Sequence, residues 1–481
     1  MKPPGYGEDQ PRFSDDRLPV ILITLDGLGD RPAPELSGAS ANIGMAPGPM
    51  LAAGLTPSEA ASTPVLDGLT ERGACGWHLP FGWGVAPSSE VAHWSMFGYE
   101  DIAFPGRAVL EALGAGIDVA AHQAVTFAAL RTSRTQVAPH GQTVWITGRV
   151  ARSDSADSDD AAALWSELEP VFAQRAVGMH HLGRGEAILI FTEHARGDIT
   201  DSDPFFEDFH PWLRVRPTSP DGEYLAAELN AMLISARKLL MRSEINASRR
   251  AAGKPAFDVV TTKWSGSREE LPSFEELTGV AGAAITSSRL YQGLATLLGM
   301  TSIHHGFEGD LVANAGTDIA ARLRLAEGLI DAGAPFVHVH TKATDEAGHT
   351  KRPRFKADVI ESIDSGLVGL DDLARRAIIA ITGDHATPST HGVIHTADPT
   401  PLLIVGPTVR PDRVTRFGEA PYRDGWYGNV AARQLLPLLF GHANRPVFLG
   451  HRATPRQTLA LPDNPEPMTF NDVDPPSTAS L

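Results

Sequence analysis

Short runs of apolar residues, each bounded by glycine, proline or aspartate, recur along the chain. Four of these runs have the length of single strands and are rich in apolar or β-branched residues. They cover residues 20–25, 336–340, 377–382 and 402–405. Their apolar residues are continuous rather than alternating, which is typical of strands covered on both faces. The pattern therefore predicts one buried sheet.

Helical patterns with clear start and stop signals lie between the strand-like runs. Thr63-Pro64 begins one that Gly73 ends, and Thr317 precedes another that ends at Gly333. Strands that alternate with helices predict a parallel α/β sheet. The longest apolar runs fall far short of the roughly 20 residues that cross a bilayer, so we expect no membrane segment.

The middle of the chain differs from the rest. It includes the polar stretch ARSDSADSDDAAA and one long helical pattern after Ser219-Pro220, which indicates a second domain inserted into the first. The two ends are rich in proline, aspartate and serine, as loose tails are. The predicted divisions are a tail at 1–17, a discontinuous core at 18–120 and 271–460, an inserted α+β domain at 121–270, and a tail at 461–481.

Composition narrows the class of protein. Of 481 residues, 42% are apolar and 21% charged, as in a soluble globular protein of two or three domains. The 41 basic and 58 acidic residues give a net charge of −17, which opposes binding to nucleic acid or an anionic membrane. Nothing before Val20 resembles a signal peptide, and the single cysteine, Cys75, excludes an internal disulfide. We expect a cytoplasmic protein in which Cys75 is a small buried side chain.

Titratable residues follow three of the predicted strands. In an open α/β sheet the carboxyl ends of parallel strands form the ligand crevice, so these residues are expected to converge. A single aspartate after a strand is usually a turn or capping residue, but three aspartates and three histidines together suit two divalent cations. The residues are Asp26 after the first strand, Lys342, Asp345 and His349 after the second, Asp384 and His385 after the third, and His395 in the next loop.

The spacing of these residues supports a shared site without proving it. Asp345 and His349 are four residues apart, so a helix beginning there would let both reach one ion. Asp384 and His385 are adjacent and point in different directions. They could serve one ion only where the backbone is irregular.

A candidate nucleophile lies in the segment Pro87-Ser88-Ser89-Glu90, which indicates a loop passing into a helix. A hydroxyl at a helix N-terminus lies in the positive end of the dipole, and a divalent cation would lower its pKa further. The alternative is that Ser88 and Ser89 are simply capping residues.

Six segments, in this order, resemble the archaeal-type, cofactor-independent (2,3-bisphosphoglycerate-independent) phosphoglycerate mutases of the alkaline phosphatase superfamily. They are LDGLGDRP, TPVLDGLTERGACG, PSSEVAH, KATDEAGH, GDHATPST and HTADPTPLL, and the similarity extends over most of residues 20–440. The resemblance implies an alkaline-phosphatase-like, mostly parallel sheet flanked by helices, with a smaller inserted α+β lid domain. It also implies a glycolytic isomerase that interconverts 2- and 3-phosphoglycerate through a phosphoserine intermediate, without an organic cofactor.

The matching positions imply roles for individual residues. Ser89 holds the place of the family's serine in the stretch SEVAH and would be the nucleophile, and Lys342 would offset charge on the transferring oxygens. Manganese is the expected metal, with zinc, cobalt or magnesium as alternatives. The implied ligands are Asp26, Ser89, Asp384 and His385 for one ion, and Asp345, His349 and His395 for the other.

The predicted lid departs from the family pattern. The chain has TGRVAR where the lid stretch of the family resembles Asp-Arg-Arg-Ala-Gly-Arg. Lys263-Trp264 stands in place of an Arg-Gly pair of the family, and residues 39–54 form an insertion. Lysine does not reproduce the bidentate fork of arginine. Each arginine of the predicted lid could contact the substrate or could simply be a solvated charge on the surface. The candidate substrate contacts are Arg149, Arg152, Asp203, Arg249 and Lys263.

These departures keep other functions open. One is a metal-dependent phosphatase or phosphotransferase, similar to a branch labelled homoserine kinase, that acts on another small phosphorylated metabolite. Another is a non-catalytic binding protein that retains the fold. The complete ligand set favours an enzyme, and the sequence does not indicate its oligomeric state.

Overall fold

The computed structural model describes residues 16–36, 54–138, 141–151, 155–191, 196–204, 209–306, 309–390 and 392–447. Arg152, the tail 461–481 and almost all of the tail 1–17 and the insertion 39–54 lie outside the described residues. The chain forms two compact units. The first comprises the described residues of Met1–Asp101, Pro272–Ile285 and Gly299–Leu481, and the second those of Ile102–Leu271 and Thr286–Leu298.

The strands form two sheets. An eight-stranded sheet has the order β10-β9-β11-β1-β12-β13-β2-β14, and a second has the order β5-β6-β3-β4-β7 with β8 paired to β3. The strands are β1 (Val20–Leu25), β2 (Ala74–Leu79), β3 (Ala124–Ala138), β4 (Gly141–Arg149), β5 (Val177–Gly183), β6 (Glu186–Phe191), β7 (His210–Pro211), β8 (Phe257–Ser267), β9 (Gly282–Thr286), β10 (Thr301–His304), β11 (Phe336–Thr341), β12 (Ile378–Thr382), β13 (Thr400–Val405) and β14 (Gly428–Ala431).

Helices connect most of the strands, and none in the described ranges is both long and apolar enough to cross a membrane. The helices are α1 (Pro57–Ala60), α2 (Pro64–Thr70), α3 (Ser89–Met96), α4 (Arg107–Gly114), α5 (Ser155–Ala173), α6 (Glu223–Leu240), α7 (Glu244–Ala251), α8 (Phe274–Thr278), α9 (Arg289–Leu297), α10 (Ala315–Asp331), α11 (Ala343–His349), α12 (Pro353–Gly366), α13 (Leu370–Leu373), α14 (Glu419–Tyr422) and α15 (Ala432–His442).

The predicted strands and helices are present with small shifts at their ends. The four predicted strands correspond to β1, β11, β12 and β13. Helix α2 begins at Pro64 as expected, whereas α10 begins at Ala315, two residues before Thr317. The fold-class prediction of a mostly parallel sheet flanked by helices is therefore confirmed.

Strand β1 lies at the centre of the larger sheet, and its parallel neighbours bring distant segments together. Thr24 is in register with His340 of β11 on one side and with Thr382 of β12 on the other. All residues of these three strands are buried. Parallel strands in register end at the same edge, so the residues that follow β1, β11 and β12 lie side by side.

The prediction of parallel strands is wrong for β13, which pairs antiparallel to both β12 and β2. The connection from β12 to β13 contains no helix among its described residues. Without a crossover helix the chain turns back at the edge where β12 ended, so the next strand runs in the opposite direction.

The core of the first unit lies between this sheet and its helices. Apolar residues of β1, β11 and β12 pack there against those of α10 and α12. Cys75 belongs to this core and is a free, buried thiol, as expected, and burial raises the pKa of its thiol group.

The second unit has its own sheet and core. Strand β3 is long and pairs antiparallel with β4, β6 and β8. The predicted long helix is α6, and α5 contains most of the polar stretch noted in the sequence. Buried Trp165 and Phe172 of α5 anchor that helix in the core of the unit.

Candidate metal centre

The carboxyl ends of β1, β11 and β12 carry the titratable residues of the first unit. Asp26 follows β1 directly, and Asp384 and His385 follow β12. After β11 the chain passes through Lys342 into α11, which holds Asp345 in its first turn and ends at His349. The helix predicted from the spacing of Asp345 and His349 is therefore present.

One group of ligand atoms belongs to Asp345, His349 and His395, and these atoms lie within 4.8 Å of one another. Oδ1 of Asp345 is 3.2 Å from Nε2 of His349 and 3.6 Å from Nε2 of His395. The side chain of His349 is 40% exposed, so this group faces solvent. Nδ1 of His395 is 3.1 Å from the carbonyl oxygen of Pro87, which orients the imidazole ring.

A second, buried group belongs to Asp26, Asp345 and His385, with ligand atoms again within 4.8 Å. Nε2 of His385 lies 3.3 Å from Oδ1 of Asp26 and 2.9 Å from Oγ of Ser89. Asp345 belongs to both groups, so the two lie next to each other. The two groups therefore offer adjacent sets of ligand atoms, and the Ser89 hydroxyl lies beside the buried set.

Ser89 is the first residue of α3, and Ser88 occupies the N-cap position. The side chain of Ser88 makes no capping hydrogen bond. Of the two serines, Ser89 is therefore the one whose hydroxyl reaches the ligand group. It also lies at the positive end of the helix dipole.

Asp384 contacts two histidines that sequence analysis did not include. Ligand atoms of His93, His340 and Asp384 lie within 4.8 Å of one another. Nδ1 of His93 is 3.5 Å from Oδ2 of Asp384, and Nε2 of His340 is 3.1 Å from Oδ2 of Asp26. Two signals were available in the sequence: His93 is one helical turn after Ser89, and His340 is in a strand whose apolar run it interrupts.

Burial and neighbouring charges determine the protonation of the site. Burial opposes ionisation of Asp26, but Lys342 and hydrogen bonds from His340 and His385 outweigh it and hold the pKa of Asp26 well below its usual range. Burial lowers the pKa of both imidazoles. Burial and the charge of Asp26 raise the pKa of Asp384 well above the usual range. His340 and His385 are therefore neutral at pH 7, as metal ligands must be.

Lys342 is the cation beside these carboxylates. Its Nζ lies 3.3 Å from Oδ2 of Asp26 and 2.9 Å from Oδ2 of Asp345. Burial opposes its charge, but the two aspartates outweigh burial and raise the pKa of the ammonium group. Lys342 therefore carries a positive charge at the edge of the site.

The residues present fit divalent cations. Oδ2 of Asp384 is buried and accepts no hydrogen bond from any described residue. Three aspartates lie at this edge, and burial and the charge of Asp26 raise the pKa of Asp384, so positive charge beside it would favour its ionised form. A divalent cation would supply that charge, and carboxylate oxygens with neutral imidazole nitrogens suit Mn²⁺, Zn²⁺ or Co²⁺.

In the second unit, buried Asp203 collects three contacts. Oδ2 accepts hydrogen bonds from Nε of Arg131 and Oγ1 of Thr261, both at 3.1 Å, and Oδ1 lies 3.1 Å from Nε2 of His210. Arg131 is in register with Arg149 across β3 and β4. Arg131 is not among the residues predicted from the sequence, because no motif marks it.

Lys263 and Trp264 lie on β8 near this group. Nζ of Lys263 is 4.0 Å and Cζ of Arg107 is 3.9 Å from the Trp264 ring centroid, so two cations contact one ring. Burial and Arg131 lower the pKa of Lys263 to about 8. Trp264 has φ of +60°, a backbone conformation that favours glycine. Glycine is the residue that the resembled family has at this position.

Arg249 belongs to a different group in the second unit. Its Nη1 donates to Asp157 at 2.8 Å and to Asp160 at 2.6 Å, and its guanidinium lies over the Phe257 ring. These contacts join α7 to α5 and β8. The structure thus brings Arg149, Asp203 and Lys263 together but places Arg249 among other partners.

Comparison with known proteins identifies the class. Residues 18–441 match the Metalloenzyme superfamily. The α/β fold and the clustered carboxylates and imidazoles agree with that match, and the chain is a metalloenzyme of this superfamily.

Relatives define the family within that class. The chain is 31% identical over 460 residues to 2,3-bisphosphoglycerate-independent phosphoglycerate mutase 2 of Methanocaldococcus jannaschii, covering 93% of this chain and 98% of that protein. It is 32% identical over 445 residues to the 2,3-bisphosphoglycerate-independent phosphoglycerate mutase of Pyrococcus horikoshii, covering 89% and 98%. The chain belongs to the family of 2,3-bisphosphoglycerate-independent phosphoglycerate mutases.

Solved structures agree with this family. A cofactor-independent phosphoglycerate mutase from Thermoplasma acidophilum has 26% sequence identity and a TM-score of 0.57, covering 88% of this chain and 100% of that chain. The PH0037 protein from Pyrococcus horikoshii has 27% identity and a TM-score of 0.69, covering 90% and 99%. The resemblance found in the sequence motifs is confirmed.

Proposed function

We propose that this protein interconverts 2-phosphoglycerate and 3-phosphoglycerate without 2,3-bisphosphoglycerate, using two divalent metal ions. The observation that carries this proposal is the hydroxyl of Ser89 at 2.9 Å from His385, beside two ligand groups that share Asp345. The mutases of M. jannaschii and P. horikoshii, with similar sequences over most of their length, support the choice of substrate.

One ion is assigned to the solvent-facing group, and the other to residues at and beside the buried group, with which the first group shares Asp345. Asp345, His349 and His395 would hold one, and Asp26, Asp384, His385 and Ser89 the other. Manganese is the proposed metal, and the mixed oxygen and nitrogen donors also suit zinc and cobalt, and magnesium less well. Bound ions would supply positive charge to the phosphoryl oxygens and lower the pKa of the serine hydroxyl.

Ser89 is proposed as the nucleophile of the first half-reaction. Its Oγ loses a proton and bonds to phosphorus while the bond from phosphorus to the glycerate oxygen breaks, and that oxygen takes up a proton. The products are phosphoserine and bound glycerate. Lys342 offsets negative charge on the transferring oxygens throughout.

In the second half-reaction the other glycerate hydroxyl loses its proton and takes the phosphoryl group from Ser89, whose oxygen is protonated again. Water must be kept away from the phosphoserine, because hydrolysis would make the enzyme a phosphatase. We assign this exclusion, and the grip on glycerate, to the second unit.

Arg149, Asp203 and Lys263 are the proposed substrate contacts in that unit, together with Arg131. Like charges directly opposed across two strands are unfavourable, and an anion between Arg131 and Arg149 would relieve that repulsion. Arg152 remains a proposal from the motif alone. The contacts of Arg249 with Asp157 and Asp160 favour a structural role for it instead.

The decisive experiment incubates manganese-loaded protein with 3-phosphoglycerate, without 2,3-bisphosphoglycerate, and follows 2-phosphoglycerate and inorganic phosphate together. Isomer without free phosphate is the expected result and would support a glycolytic role. Free phosphate alone would indicate a phosphatase, the second candidate, which the Lys263-Trp264 departure favours. The absence of both products would contradict the proposal and direct the search to homoserine with ATP.

A further inference from the structure

A fully buried lysine in the first unit contacts two of the loops that carry proposed metal ligands. Lys356 belongs to α12, and its ammonium group is surrounded by oxygen atoms. Nζ donates to the carbonyl oxygens of Gly27 at 2.8 Å, Gly29 at 3.0 Å and Thr387 at 2.9 Å. Gly27 follows Asp26, and Thr387 lies two residues after His385. One ammonium group therefore joins the loop after β1 to the loop after β12.

Asp30 completes this connection. Its Oδ2 lies 2.9 Å from Nζ of Lys356, and both of its carboxylate oxygens accept from the backbone N–H of Ser389 at 3.0 Å. The ion pair of Lys356 and Asp30 is fully buried. Breaking a buried pair by removing one partner leaves an uncompensated charge, so the two loops are strongly held together.

The two loops are also in direct contact. Gly27 has φ of +65°, and a Cβ placed on it would lie 2.5 Å from Oγ1 of Thr387. Oγ1 of Thr387 in turn donates to Oδ1 of Asp345 at 2.7 Å. Lys356 holds Thr387 by its carbonyl oxygen. Loss of Lys356 would therefore also affect Asp345, the carboxylate that both ligand groups share.

A second lysine holds the other end of the loop after β12. Lys351 follows α11, the helix of Asp345 and His349, and has φ of +57°. Its Nζ donates to the carbonyl oxygens of Pro388 and Val393, both at 2.7 Å. Val393 lies two residues before His395. Lys351 thus joins the helix that carries two ligands to the loop that carries the third.

We propose that Lys356 and Lys351 are positioning residues, each of which holds the ligands of one metal ion at their working separation. Lys356 does so for the ion assigned to Asp26, Asp384 and His385, and Lys351 for the ion assigned to Asp345, His349 and His395. The inference rests on the proposed two-metal centre. Described residues 383–390 and 392–399 contain no regular helix or strand, so side-chain contacts must supply the rigidity that a ladder of backbone bonds gives elsewhere.

The test removes each ammonium group while keeping a similar side-chain length. Lys351→Met and Lys356→Met are equilibrated at graded concentrations of free Mn²⁺, and the ions bound per chain are counted. The native protein and Lys238→Met are measured alongside, because Lys238 is an exposed lysine of the second unit. We expect Lys351→Met to bind its ion about 10- to 100-fold more weakly and to keep the other, as loss of an outer partner does. Lys356→Met should weaken the buried ion by a similar factor and the other ion less, because Thr387 also contacts the shared Asp345. Lys238→Met should match the native protein.

A double-mutant cycle separates positioning from a general loss of stability. If Lys351 acts through His395, Lys351→Met should weaken Mn²⁺ binding no further in a His395→Ala background. Lys356→Met is examined in the same way in a His385→Ala background. If Lys356→Met does not fold, Asp30→Asn removes the charge from the same connection and takes its place.

The outcomes are distinct. The positioning role would be overturned by unchanged affinity for both ions. It would also be overturned if both ions were weakened equally and the metal-free protein had a lower melting temperature. Loss of the assigned ion in Lys351→Met and a larger loss of the buried ion than of the other in Lys356→Met, with no further effect in the matching background, would establish it. A native protein that binds no ions would instead contradict the proposed metal centre, and the inference would fall with it.

Discussion

Oγ of Ser89 lies 2.9 Å from Nε2 of His385, although 296 positions separate the two residues in the chain. The serine begins α3, and the histidine follows β12. Neither element contains the site alone. The contact exists because the central sheet delivers the end of β12 to the N-terminus of a helix, where a hydroxyl is most easily ionised.

Replacement of Ser89 by alanine should abolish turnover and leave the fold intact. A single small hydroxyl contributes about 1 kcal/mol to stability, whereas loss of a nucleophile costs at least about 1000-fold in kcat. Turnover of 3-phosphoglycerate and the melting temperature check both expectations. Ser88→Ala is the matched control and should remain active. Activity that survives in Ser89→Ala would transfer the nucleophile to Ser88 or to a water molecule.

His395→Ala should weaken the ion assigned to the solvent-facing group. The variant loses one of three ligands, so the metal content after dialysis against low free Mn²⁺ should fall by about one ion per chain. The buried group should keep its ion. An undiminished metal content in this variant would refute the assignment of His395.

Removal of metal should abolish activity reversibly. Treatment with a chelator is expected to leave a folded, inactive protein, because the two cores of the chain are apolar and independent of the ligand groups. Addition of Mn²⁺, Zn²⁺ or Co²⁺ should restore turnover to different extents. A chelated protein that retains full activity would show that the reaction does not need the proposed ions.

The metal-free protein should lose stability as the pH falls below about 6.5. Burial lowers the pKa of His78 to about 4 and that of His93 to about 3, so both are neutral in the native state. The unfolded chain binds these protons near pH 6.5, and each proton taken up there favours unfolding. Urea denaturation at pH 8 and pH 5 measures the loss. His78→Gln, which cannot titrate, should show a smaller difference, and an equal one would exclude His78 as a cause.

Substrate affinity should decline as the pH rises through about 8. Burial and Arg131 lower the pKa of Lys263 to about that value, so the side chain loses its charge above it and attracts an anionic substrate less well. A pH profile of KM for 3-phosphoglycerate tests this expectation. Lys263→Arg should keep its charge and remove the inflection, and a profile that keeps the inflection in Lys263→Arg would assign it to another group.

Much of the site was predictable because its residues follow strands whose apolar runs are easily recognised. Asp26, Asp384 and His385 come directly after such runs, and parallel strands end at a common edge. His93 and His340 were missed because each lies inside a helix or strand rather than after its end, where ligands were sought. Arg131 was missed for the same reason, since nothing in its own segment shows that it faces Asp203.

Local pattern and spacing were sufficient for the strand runs, the α11 helix that joins Asp345 to His349, and the family motifs. The strand runs and the helix depend on short-range backbone preferences and on the periodicity of burial, which neighbouring residues alone determine. Tertiary packing decided the direction of β13, the contact of Ser89 with His385, and the partners of Arg249 and Lys356. The direction of β13 depends on the connection before it, which has no crossover helix among its described residues. The other contacts depend on which distant groups share a desolvated space, where a charge or polar group without a partner is costly.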